Sequence, residues 1–86
     1  MHDFEFYLEF EGGKTYNQNY VEMVKDYSAK EAATKFANKQ GLKFIKIESV
    51  ISDEENYRAY FLERKFFKKD REHIYLVKKR VISISI

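Results

Sequence analysis

Eighty-six residues specify one domain, and a chain of that size buries only about 60–65% of its unfolded surface, so a large multi-layered core is excluded. The absence of cysteine excludes disulfides and thiolate metal sites and points to the cytoplasm. The formal net charge of +2 hides an asymmetry. Residues 1–31 carry three lysines against seven acids, a net of −4, whereas residues 32–86 carry thirteen basic against seven acidic residues, a net of +6. A basic second half favours an anionic partner. No apolar stretch approaches the roughly 20 residues of a membrane span, and MHDFEFYLEFE has neither the basic start nor the apolar run of a secretory signal.

His2–Glu11 alternates strictly: Phe4, Phe6, Leu8 and Phe10 share one side, and Asp3, Glu5, Tyr7, Glu9 and Glu11 share the other. Period two over this length predicts a strand with one buried and one wetted face. Gly12-Gly13 predicts a tight hairpin, because glycine accepts positive φ without a steric penalty. The returning strand covers about Lys14–Asp26. A two-residue loop would pair Glu11 with Lys14 and bring Asn17 and Asn19 beside the phenylalanines. A three-residue loop would pair Glu11 with Thr15 and bring Tyr16, Tyr20 and Val24 there instead, which is the expected register because it buries tyrosines rather than asparagines. Gln18 and Glu22 would still face inward, so a second irregularity is expected near Val21.

Ser28–Gly41 is the clearest helix. Ser28 and Glu31 have the S-x-x-E spacing of a capping box. Ala29, Ala32, Ala33, Phe36, Ala37 and Gln40 recur at helical period on one face. Gly41 stands where a left-handed residue ends a helix. Leu42–Ile51 has strand length and composition, and Ser52–Asn56 is a polar turn. A right-handed crossover would lay this third strand beside the first.

Tyr57–Phe67 reads as a strand followed by a turn at Lys68–Arg71. The competing helix has a second S-x-x-E box at Ser52 and Glu55, but its apolar residues fall all round the wheel. His73–Ile86 reads as a strand, since Ile82, Ile84 and Ile86 alternate with Ser83 and Ser85. Left unpaired, VISISI would invite aggregation, so something must cover it. The expected fold is α+β: one helix on an antiparallel sheet, ββαβββ, in strand order 2-1-3-4-5. The alternative is ββαβαβ with a second helix near residues 53–70. One helix about 10–12 Å across covers only half of a five-stranded sheet about 20–24 Å wide. The remaining apolar surface needs strong curling, a second copy of the chain, or another partner.

No catalytic signature emerges. EGGKT at Glu11–Thr15 resembles the end of a phosphate loop, but Leu8 stands where the motif needs glycine and a strand follows where it needs a helix. Asp3, Glu5, Glu9 and Glu11 would serve a cation or an acid/base pair only if they converged; a solvated strand face is the plain reading. His2 and His73 belong to no metal-ligand spacing. The expectation is a non-enzymatic protein without cofactor or metal.

The basic, aromatic second half has more content. Arg64, Lys65, Lys68, Lys69, Arg71, Lys78, Lys79 and Arg80, interleaved with Phe66, Phe67 and Tyr75, form the candidate surface for a protein partner or nucleic acid. Seven Tyr and eight Phe in a short chain suit an interface, where aromatics and arginine act as anchors. In size and composition the chain resembles the small accessory proteins of phages and mobile elements, which bind and block host factors. That resemblance implies a modulator of a host protein or nucleoprotein complex, such as a nuclease or defence system, while the terminal strand, open to edge-to-edge pairing, favours a homodimer. The alternative function is direct nucleic-acid binding through the C-terminal hairpin, by stacking and phosphate contacts.

Overall fold

The computed structural model of the chain describes residues 1–64 and 69–80. Five strands and one helix follow in the order β1 (His2–Glu11), β2 (Lys14–Asp26), α1 (Ala29–Gln40), β3 (Lys43–Val50), β4 (Asp53–Glu63) and β5 (Arg71–Arg80). All neighbours pair antiparallel in one sheet of order β2-β1-β5-β4-β3. This is the expected ββαβββ architecture, and residues 53–63 are strand rather than the alternative helix. The predicted end of the last strand, 81–86, and the Lys65–Lys68 part of the connection before it lie outside the described residues.

The strand order corrects the expected 2-1-3-4-5. β3 does not lie beside β1; it forms an edge, and β5 takes the place next to β1. The reason is burial. A central strand has a neighbouring strand along each edge that shields its side chains, and β5 supplies the suitable run in His73, Tyr75, Leu76 and Val77, all buried. β3 exposes Lys43, Ile45, Lys46, Glu48 and Ser49, a pattern only an edge tolerates. The helix therefore carries the chain from one edge of the sheet to the other across a single face.

The helix ends as its sequence requires. Ser28 Oγ accepts the Glu31 N–H at 3.2 Å, and Gly41 adopts φ 68° and ψ 32° while its N–H donates to the Ala37 carbonyl. Its buried face is Ala29, Ala32, Ala33, Phe36 and Ala37; Gln40, expected with them, is exposed. Four alanines let the helix backbone approach the sheet closely, and Phe36 fills the space between. Phe36 lies parallel to Phe6 with centroids 4.2 Å apart and meets Tyr75 edge-on at 4.8 Å. Phe4, Val24, Ala59, Phe61 and Val77 complete this core.

The β1–β2 hairpin departs from the expected register. Gly12 and Gly13 have φ of 54° and 89°, and Glu11 pairs with Lys14, so the turn has two residues rather than three. Two successive positive φ values match the twist of the flanking strands, which relieves the turn of any need for a bulge. The mismatch is absorbed within the strands instead. Phe10 pairs with Thr15 but Leu8 with Asn19, with Gln18 at φ 50° between. A second shift at Val21, as expected, brings Glu22 opposite Phe6 and Val24 opposite Phe4. Tyr20 thus pairs with Tyr7 on the side away from the helix, not with the phenylalanines.

A bulge at Glu9 corrects β1 as well. Leu8 pairs with Tyr75 but Phe10 with Ile74. By alternation along β5, Phe10 leaves the Phe4–Phe6–Leu8 side and Glu11 joins it beside His73.

Candidate binding surface

The helix covers one face of the sheet, and the other face is open. Alternation and register place Asp3, Glu5 and Tyr7 of β1, Tyr20 and Met23 of β2, Leu76 and Lys78 of β5, Arg58 and Tyr60 of β4, and Lys46 and Glu48 of β3 on this helix-free side. Only Leu76 among them is buried. Three tyrosines dominate the surface. Tyr7 and Tyr20 meet edge-to-face at 5.5 Å, Lys78 Nζ stands 4.9 Å over the Tyr7 ring, and Lys46 Nζ stands 4.7 Å over the Tyr60 ring. Desolvation, and then the Glu5 carboxylate, push the Tyr7 phenol upward from its ordinary value.

The acidic row foreseen along β1 does not converge on a site. Asp3, Glu9 and Glu11 each meet a cation from another strand. Asp3 lies 3.9 Å from Lys25, Arg58 Nε donates to Glu9 at 3.0 Å, and Glu11, turned to the other face, lies 3.7 Å from Arg71. Farther out, Lys46 and Glu48 pair at 3.1 Å, which holds the Lys46 ammonium above its usual range. The Tyr60 hydroxyl donates to Glu48 at 3.4 Å. The face is aromatic, with its charges locally matched.

The histidines are far apart and different. His2 is exposed, its ring 6.3 Å edge-on to Phe4. His73 is buried between two glutamates, with Nε2 2.9 Å from Glu63 and Nδ1 3.5 Å from Glu11. This tie between β1, β5 and β4 had no sequence signal, because it depends on β5 standing between the other two. Nearby, burial and then the carboxylates of Glu11, Glu22 and Glu63 push the Tyr75 phenol up to about 12. Among the described residues no group of three or more His, Asp or Glu side chains is arranged to hold a metal ion, and no helix is long and apolar enough to cross a membrane.

The foreseen basic and aromatic residues divide between two ends of β5. Arg64 and Lys69 are exposed near the β4–β5 connection, and Arg71 is half-buried against Glu11. At the other end Lys78 reaches across to Tyr7, while Lys79 and Arg80 line a cleft of about 480 Å³ with Asp3, Lys25 and Glu55. Seven residue steps along the strand, about 23 Å, separate Arg71 from Lys78, so the two groups of cations do not form one patch. Tyr75 is not on a surface: it is 5% exposed and packs on Phe6, Phe36 and Phe61. Lys65, Phe66, Phe67 and Lys68 lie outside the described residues. The sequence missed Tyr7, Tyr20, Tyr60 and Met23 as a surface group; the alternation of Tyr7 with the β1 phenylalanines was the one available signal.

Compared with protein families, with curated proteins and with solved structures, the chain matches none.

Proposed function

We propose that this is a small non-enzymatic binding protein that docks on a protein partner through the helix-free face of its sheet and also self-associates. The observation that carries the reading is the make-up of that face: Tyr7, Tyr20, Tyr60 and Met23 stand among charges most of which are already engaged. Tyrosine, methionine and arginine are the residues that interfaces concentrate, and paired charges add little net field. A phosphate backbone needs cations that are not already engaged, and β1, next to the β2 edge, lays Asp3, Glu5 and Glu9 along the face. Size and composition suit an accessory protein of a phage or mobile element acting in the cytoplasm, and a host protein or nucleoprotein complex such as a nuclease is the corresponding partner class.

The second reading, direct nucleic-acid binding, draws support from Arg64 and Lys69, which are exposed at the β4–β5 end. Titrating labelled single-stranded and duplex oligonucleotides at about 50 and 200 mM salt separates the two. The expected result is no binding at either salt. Tight binding that collapses at the higher salt and weakens on Arg64→Ala and Lys69→Ala would replace the protein-docking reading. A partner captured from a host extract by the wild type should be lost on combining Tyr20→Glu with Met23→Glu while the melting temperature is kept; retention would move the docking site off this face.

A further inference from the structure

β3 is an open edge. It pairs with β4 on one side, and no other strand pairs with it among the described residues. Its regular part is Lys46–Ser49, between register shifts at Ile45 and at the Ser49/Val50 step. At its middle is Ile47, with Lys46 before it and Glu48 after it, both on the helix-free side. Exposed apolar side chains stand at either end: Ile45 is 45% exposed and Ile51 is fully exposed. Lysine on an edge strand ordinarily discourages pairing with another chain. Here Lys46, in the regular part of the strand, has an acid two residues on in Glu48, and that spacing changes the outcome for one partner in particular.

We infer that β3 pairs antiparallel with β3 of a second copy of the chain, about a two-fold axis through Ile47. In that register Ile47 meets its own counterpart. Lys46 falls opposite Glu48 of the second copy, and Glu48 falls opposite Lys46 of the second copy. Opposite charges on directly facing residues of an antiparallel pair are favourable, and a two-fold axis makes the match twice. Both charges are preset on their side of the sheet: Lys46 rests over Tyr60, and the Tyr60 hydroxyl holds Glu48. Ile45 would come opposite Ser49 of the second copy, which covers part of its exposed surface. Two five-stranded sheets would become one of ten strands, and the helix-free faces would continue across the axis.

The other edge does not offer the same match. β2 is interrupted by Gln18 at φ 50° and by two register shifts. Its regular end, Glu22–Asp26, is centred on Val24, and pairing about that centre would set Glu22 opposite Asp26 of the second copy. Two carboxylates facing each other are repulsive. The complementarity therefore selects β3, and it selects another β3 as the occupant.

This inference rests on the self-association part of the proposed function and leaves the docking face to its own test. Sedimentation equilibrium of the full chain at micromolar concentration reads it directly. The wild type should be a dimer, and Lys46→Glu and Glu48→Lys should each weaken dimerisation about tenfold by facing like charges twice. An equimolar mixture of the two variants should form a heterodimer, because every facing pair is then opposite in sign. The double variant, with both substitutions in one chain, should dimerise as the wild type does. Restoration by mixing has no explanation within a single chain. A wild-type dimer indifferent to both single variants would place self-association elsewhere and overturn the β3 assignment. A monomer at all concentrations would remove self-association altogether. Weakening that mixing fails to repair would show that the charge register is wrong.

Discussion

The two faces of this sheet are built from the same strands and do different things. On the helix side, Phe4, Phe6, Val24, Phe61 and Val77 are sealed beneath Phe36 and four alanines of α1. On the other side, Leu76 alone is buried among the described residues, and tyrosines, methionine and charged side chains meet solvent. Alternation makes this division possible, since each strand contributes every second residue to each face. The lesson is that stability and recognition are separable here: substitution on one face should register in unfolding, and on the other in binding.

The sharpest way to break that comparison is Phe36→Ala. Removing a ring that contacts three others in the core should cost about 3–5 kcal/mol in chemical denaturation. A loss under 1 kcal/mol would mean that the helix side is not the stabilising one. Next in size is an alkaline effect on the same side. The Tyr75 phenol, held up to about 12 by burial and then by Glu11, Glu22 and Glu63, stays neutral in the folded chain while its unfolded counterpart ionises near 10. Its contribution is thus fully present below pH 10 and is lost as pH rises toward 12. The loss is on the order of 2 kcal/mol, and Tyr75→Phe should flatten that part of the stability profile; an unchanged slope would disprove it.

Ser28→Ala removes the hydroxyl that accepts the Glu31 N–H and should lower stability by about 1 kcal/mol, read as a shift in denaturation midpoint. The smallest effect is expected on the open face. Tyr20 is 56% exposed, and Tyr20→Ala should change monomer stability by no more than about 0.5 kcal/mol. A larger loss would mean that Tyr20 and Tyr7 act structurally, and the division between the faces would blur.

Much of the architecture was legible in the residues. His2–Glu11 and the Ser28–Gly41 helix follow from periodicity and caps, which act over a few residues. Arg58 and Tyr60 fell on a strand because Tyr57–Phe67 lacks a single helical stripe. The candidate surface was less legible. Its cations were read as one region because Arg71 and Lys78 are close in sequence, but a strand carries them to opposite ends. Tyr75 was grouped with them because composition does not say which face a tyrosine takes.

By itself, then, the sequence determined the six elements, the ββαβββ order, most of the buried side of the helix and the alternation of β1 as far as Leu8, since each depends on spacing within one segment. Tertiary structure alone decided that β5 stands at the centre, that a two-residue hairpin with a shift beside Gln18 and a bulge at Glu9 reassign Tyr20, Phe10 and Glu11, and that His73 lies between Glu11 and Glu63. Those outcomes depend on which strands compete for the central place in the sheet and on where a one-residue mismatch costs least. Both are properties of the assembled sheet, where a single slip turns every following side chain to the other face.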